Sequence, residues 1–228
     1  MSDPVFLITG ASSGIGAATA RRAARARYRM ALTSRAAERV EPLAAELGGT
    51  DRAVGIACDV TEWTEVERAV ERTLSTFGRI DVVFANAGFG ARRGFLKESP
   101  EHWREMVLTN VLGVAHTVRA TVEALDATDG HLLMTGSVAG HVSPPGSVYA
   151  ATKHAVRSLA ESARAELLER GICVTLISPG NTDTPFFDNT PEFALQDDDV
   201  ARAVMYAVSE PASVGINEIL MRHPRQER

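Results

Sequence analysis

Short runs of consecutive apolar residues alternate along the chain with longer stretches in which apolar residues recur every three or four positions. The short runs cover residues 5–9, 29–34, 53–57, 81–85, 131–136, 173–178 and 216–221. Such runs predict strands buried on both faces of a sheet. Helical spacing covers 14–26, 36–47, 64–77, 100–125, 149–170 and 198–209. This strand–helix rhythm predicts a single α/β domain over 1–228, with helices on both faces of a doubly wound parallel sheet of about seven strands and right-handed crossovers. Punctuation agrees in places. Ser99-Pro100 reads as an N-cap and first helical residue, and Gly171 follows the last periodic turn of its helix. The helices over 100–125 and 149–170 are apolar or small on more than one face, as at Val107, Val111, Leu159 and Ala163. One face can cover the sheet and a second needs a partner, which predicts a homodimer or homotetramer through these two helices.

Composition narrows the class of protein. With 45% hydrophobic and 23% charged residues among 228, the chain reads as an ordinary soluble globular protein. A formal net charge of −5 and the lack of a basic run argue against nucleic acid as a partner. Cys58 and Cys173 lie in strand-like runs without a C-x-x-C pair, and read as reduced, buried side chains of a cytoplasmic protein. The six histidines are scattered, so no metal site is expected. The first apolar run is too short for a signal peptide or a membrane span.

The stretch Thr9-Gly10-Ala11-Ser12-Ser13-Gly14-Ile15-Gly16 follows the first strand and opens the first helix. Glycines there let backbone N–H groups approach a diphosphate, and the helix N-terminus favours its charge. The second strand ends in Ser34-Arg35. Where enzymes using the unphosphorylated dinucleotide place a carboxylate, Ser34 has no charge to repel a 2′-phosphate, and Arg35 can grip one. This pair predicts NADP(H), with NADH the lesser alternative. Asp59-Val60, after the third strand, suits the adenine amino group or a cap on the next helix. Asn86-Ala87-Gly88 closes the fourth strand with small residues that admit a cofactor.

Tyr149-Ala-Ala-Thr-Lys153 pairs a phenol with an ammonium one helical turn away. A nearby cation favours the phenolate and lowers its pKa from about 10, giving a proton donor and acceptor usable near neutral pH. Of 24 basic residues only two are lysines, Lys97 and Lys153; the rest are arginines, which are forked rather than compact charges.

Taken together, Thr9–Gly16, Asp59, Asn86-Ala87-Gly88, Asn110, Ser137, Tyr149, Lys153 and Pro179-Gly180 span nearly the whole chain in one order. In this the sequence resembles the short-chain dehydrogenase/reductases, in the branch with subunits of this length. The resemblance implies a Rossmann-like sheet, hydride transfer at nicotinamide C4 to or from a carbonyl or alcohol, and subunits often paired through the two long helices. It implies Tyr149 as proton donor or acceptor and Lys153 as the cation that lowers its pKa and bonds the nicotinamide ribose. Ser137 would orient the substrate oxygen, and Asn110 would bend its helix and hold a water leading to Lys153. It also implies cofactor contacts from Pro179, Gly180, Thr182 and Thr184. Two departures stand out. Gly136 replaces a serine often found there, with Ser137 twelve positions before Tyr149, and Thr182 or Asp183 stands where an aliphatic residue is common.

Substrate is expected between segments 89–94, 141–145 and 185–195, with His141 and Phe186 beside Ser137 and Tyr149. Phe186 and Phe187 either touch an apolar substrate or pack beneath a short lid. Arg92-Arg93 either attract an anion or are solvated, and the tail 223–228 is frayed or used between subunits. A non-catalytic NADP(H)-binding sensor of the same fold is the alternative to an oxidoreductase.

Overall fold

A computed structural model of the chain describes residues 3–186, 191–211 and 213–226. Seven parallel strands form the sheet: β1 (Val5–Ile8), β2 (Arg29–Ser34), β3 (Ala53–Ala57), β4 (Val82–Ala85), β5 (His131–Thr135), β6 (Cys173–Pro179) and, last in the chain, β9 (Glu218–Met221). Their order is β3-β2-β1-β4-β5-β6-β9. After β3 the chain crosses back to lay β4 against the other side of β1, and the crevice at that switch point lies outside the strands' carboxyl ends.

Helices cover both faces: α1 (Gly14–Arg25), α2 (Glu41–Glu46), α3 (Trp63–Phe77), α4 (Pro100–Val107), α5 (Gly113–Asp126), α6 (Val148–Leu167) and α7 (Asp197–Ser209). Because successive strand residues point to opposite faces, Phe6 and Ile8 pack with Ala17, Ala20 and Val204 of α1 and α7. Leu7 instead faces Val70, Val114 and Val156 of α3, α5 and α6. Both clusters are continuous along the sheet, which accounts for the unbroken apolar runs in its strands. No helix among the described residues is long and apolar enough to cross a membrane.

The structure departs from the periodicity where side chains interfere. The stretch 36–47 divides into a 3-10 turn, Ala37–Arg39, and α2, whose first turn holds Pro42, a residue without an N–H to donate. The expected helix over 100–125 is interrupted by a π turn, Leu108–Leu112, around the fully buried Asn110. The last strand starts at Glu218 rather than at 216. Two short strands that periodicity did not signal, β7 (Thr182–Asp183) and β8 (Leu195–Gln196), pair in parallel and close the ends of the loop between them. The helix signals hold: Ser99 Oγ accepts from His102 N at 3.2 Å, and Gly171 ends its helix at φ 70°.

Candidate active site

A cleft of about 1590 Å³ runs along the carboxyl ends of the strands. At one end lies the glycine turn. Gly10 has φ +66°, and a Cβ there would stand 2.8 Å from Ala87 Cα; one on Gly16 would stand 2.4 Å from the Gly10 carbonyl. The turn is therefore closed down on β4, with the N-terminus of α1 pointing into the cleft. Ser13, the N-cap of α1, makes no side-chain cap bond, and the first turn carries no acidic residue. First-turn amides left open in this way suit an anion. Gly10, Ser12, Ser13, Gly14 and Ile15 line the cleft here.

Thr9 and Gly16 do not line it; they build the turn from behind. The Thr9 hydroxyl accepts from the amides of Asn86 (3.0 Å) and Ala87 (3.1 Å). Asn86 Nδ2 donates to the carbonyls of Thr9 and Gly10, while its Oδ1 accepts from Thr135 Oγ1 at 3.0 Å. One amide side chain thus joins the ends of β1, β4 and β5.

The outer end of the cleft is lined by Ser34, Arg35, Arg39, Asp59 and Val60. Ser34 donates its hydroxyl to the Ala36 carbonyl. Asp59 Oδ1 accepts from Thr61 N (2.9 Å) and Thr61 Oγ1 (2.8 Å), so it caps the turn before α3 while still facing the cleft. Neither Arg35 nor Arg39 makes an ion pair among the described residues. Arg39, four positions after Arg35, is a cleft residue that no pattern in the sequence singled out.

At the inner end, β5 delivers Ser137 and the N-terminus of α6 delivers Tyr149. The Ser137 hydroxyl accepts from Ala139 N at 3.1 Å, which leaves its own proton to donate, and it lies near enough to the Tyr149 hydroxyl to favour the phenolate. Burial pushes the Tyr149 phenol up to about 12, against the opposing pull of Ser137. The ring is partly open to the cleft, but its neighbours crowd it enough for desolvation to dominate. Lys153 Nζ lies 5.7 Å from the Tyr149 ring centroid and donates to the Thr135 carbonyl at 2.8 Å. Its side chain is buried, and burial lowers the ammonium to about 8. The expected lowering of the phenol by Lys153 does not enter its shift here: the ammonium is aimed at a carbonyl, and desolvation raises the phenol.

Asn110 is brought next to this group but does not line the cleft. Its Oδ1 accepts from Phe89 N (3.0 Å), and its Nδ2 donates to Phe89 O (2.9 Å) and Thr152 Oγ1 (3.1 Å). The side chain clamps the loop after β4 onto α6, with both amide protons used. A Cβ on Gly88 would stand 3.0 Å from Asn110 Oδ1, close enough that the amide would have to give way, and in ordinary contact with Lys153 Nζ at 3.8 Å.

The remaining residues expected at the site divide. Asn86, Ala87, Gly88, Pro179, Gly180, Thr182, Thr184 and Phe186 line the cleft. Thr184 lies over the glycine turn, where a Cβ on Gly14 would be 3.0 Å from its Cγ2. Phe186 packs edge-on to Tyr149 with centroids 5.5 Å apart. His141 does not line the cleft: its Nε2 meets Glu218 Oε1 at 2.7 Å, so the expected substrate contact is turned away. Of the arginine pair, Arg92 bonds Glu98 while Arg93 faces the cleft. Phe187 and the end of the tail, 227–228, lie outside the described residues. The rest of the tail is docked: Gln226 Oε1 accepts from Asn181 N at 2.8 Å, and His223 stacks on Phe193 at 5.5 Å. Arg225 and Gln226 thereby reach the cleft, which no local pattern in the sequence foretold.

Comparison with known proteins agrees with this geometry. The family model described as short chain dehydrogenase matches residues 4–194. An uncharacterised oxidoreductase of Staphylococcus saprophyticus is 34% identical, over 97% of this chain and 98% of its own. The solved alcohol dehydrogenase of the archaeon Thermococcus sibiricus, complexed with 5-hydroxy-NADP, superposes with a TM-score of 0.91 at 33% identity, covering 99% of this chain and 98% of that one. The 3-ketoacyl-(acyl-carrier-protein) reductase of Brucella melitensis, complexed with NADH, gives 0.88 at 29% identity, covering 95% of each chain.

Proposed function

The chain belongs to the short-chain dehydrogenase family, whose members bind NAD(P), and on that footing we propose that it is an NADP(H)-dependent oxidoreductase interconverting a carbonyl and an alcohol. One observation carries the reading: Ser137, Tyr149 and the buried Lys153 face the same cleft as the open N-terminus of α1.

The residues present fit a dinucleotide. The glycine turn and the α1 amides would hold the diphosphate, and Asp59 and Val60 would flank the adenine. Lys153, Pro179, Gly180, Thr182 and Thr184 would hold the nicotinamide end. Arg35 and Arg39, which have no carboxylate partner among the described residues, favour a 2′-phosphate over a bare ribose hydroxyl. When bound, the nicotinamide supplies or accepts the hydride.

The chain's own residues handle the proton. During reduction the carbonyl oxygen gains negative charge, and Tyr149, protonated at neutral pH, donates to it. Ser137 adds a second, preorganised hydrogen bond at the same oxygen. Lys153 holds positive charge beneath the phenol and favours its return to the phenolate when the reaction runs toward oxidation. The carbonyls loosened in the π turn around Asn110 suit a water joining Lys153 to solvent, since the Asn110 side chain itself is occupied. Val107 and Leu112 remain exposed on the long-helix layer, which suits a homodimer or homotetramer through those helices. The free thiols of Cys58 and Cys173 suit the cytoplasm.

The test is titration with NADPH and NADH, followed by absorbance assays on a panel of ketones and aldehydes. Tight NADPH binding with turnover is expected. Binding of neither cofactor sinks the reading, and binding without turnover across a broad panel replaces it with a non-catalytic sensor.

A further inference from the structure

A second hydrogen-bonded group, outside the reacting side chains, ties the edge of the sheet to the turn that presents Ser137. Glu218 Oε1, in β9, accepts from Ser178 Oγ at 2.6 Å and meets His141 Nε2 at 2.7 Å. A carboxylate only accepts, so the histidine carries its proton on Nε2 and donates it. Ser178 is fully buried, while His141 and Glu218 are about a quarter exposed, at 23% and 26%.

His141 closes the 3-10 turn Val138–Gly140, and Ser137 is the residue that caps its start. The turn's own bonds are few: Gly140 N to Ser137 O at 2.9 Å, His141 N to Val138 O at 3.1 Å, and Ala139 N to Ser137 Oγ. Short 3-10 turns have poor hydrogen-bond geometry and hold their shape weakly alone. The strand β9 does not need Glu218 to stay in place. It is already laddered to β6 from Leu176–Glu218 to Pro179–Met221, and Thr175 Oγ1 bonds Ile216 O just before it. The bond to His141 therefore serves the turn more than the strand.

The same group accounts for Gly136. A Cβ at that position would stand 2.5 Å from Ser178 Oγ, the hydroxyl that Glu218 holds. Where a serine is common at 136, this chain fills the space from β6 instead.

We propose that Glu218, acting through His141 and Ser178, is the positioning residue for Ser137, holding the 137–141 turn so that the Ser137 hydroxyl meets that of Tyr149. The proposal rests on the oxidoreductase reading of the cleft. It is tested with Glu218→Ala, Glu218→Gln, His141→Ala and the Glu218→Ala/His141→Ala double variant. Glu218→Ala is expected to lower kcat about tenfold or more at saturating NADPH, since small misplacements at a reacting centre are costly. NADPH affinity should stay within about twofold, a split that a merely structural strut would not produce. Glu218→Gln should restore kcat, because an amide oxygen still accepts from both donors. The double variant should be no worse than the more impaired single, as expected for residues acting through one bond.

Hydrogen exchange at the amides of Gly140 and His141, measured without cofactor, should be faster in Glu218→Ala and normal in Glu218→Gln. Unchanged kcat with unchanged exchange in Glu218→Ala overturns the proposal, as does a Gln variant as impaired as the Ala one. If the wild type reduces no carbonyl, the oxidoreductase reading fails, and the exchange rates still decide whether Glu218 braces the turn. Should Glu218→Ala not fold, His141→Ala leaves the Ser178–Glu218 bond intact and gives the same two readouts.

Discussion

Lys153 donates its ammonium to the Thr135 carbonyl at 2.8 Å while its Nζ sits 5.7 Å from the Tyr149 ring centroid. The end of β5 thus fixes the cation beside the α6 phenol. Because Thr135 also bonds Asn86 through its hydroxyl, the Tyr149–Lys153 corner and the glycine turn share one chain of contacts.

Burial of Lys153 has a pH signature. Its folded value of about 8 lies below the ordinary 10.5, so between these values the unfolded chain holds a proton that the folded chain has shed. Raising pH across that window favours the folded state. Thermal melts without cofactor should show the wild type gaining stability relative to Lys153→Met from pH 8 to 10, with no pH dependence of the difference below about pH 7. A difference that stays flat from pH 7 to 10 would show that the ammonium is not desolvated.

Tyr149→Phe removes only the hydroxyl and keeps the edge-on contact with Phe186. Turnover should fall by roughly 10²–10⁴, the usual worth of a positioned proton donor. NADPH affinity, read by fluorescence titration, should hardly change. Retained turnover would remove Tyr149 from the proton-transfer role.

At the outer end, Ser34→Asp places a carboxylate beside Arg35 and Arg39, where a 2′-phosphate would lie. The ratio of kcat/KM for NADPH over NADH should drop by about tenfold or more, and Arg39→Ala should weaken NADPH while sparing NADH. Unaltered ratios in both variants would disconnect these residues from cofactor choice.

The glycine turn tolerates no side chain at Gly16, because a Cβ would meet the Gly10 carbonyl at 2.4 Å and Asn86 Nδ2 at 2.9 Å. Gly16→Ala should cost about 1–3 kcal/mol in urea denaturation, the usual penalty of overpacking, and weaken cofactor binding as well. Gly215→Ala, with open space around the position, is the control expected to change neither.

Much of this was legible from order along the chain. Strands buried on both faces leave continuous apolar runs, a glycine turn between strand and helix is local, and Tyr149 and Lys153 share a helical face by spacing alone. Those patterns located the sheet, the glycine turn and the phenol–ammonium pair, because each depends on neighbours in sequence. The tertiary structure decided what depends on distant neighbours. The sign of the Tyr149 shift follows from how tightly other segments crowd it. His141 turned from the cleft because β9, 77 residues later, offers a carboxylate. Arg225 and Gln226 joined the site because β9 ends beside Gly180 and sends the tail back across it. Burial and long-range hydrogen bonding are sums over the folded surroundings, and no local pattern of residues contains them.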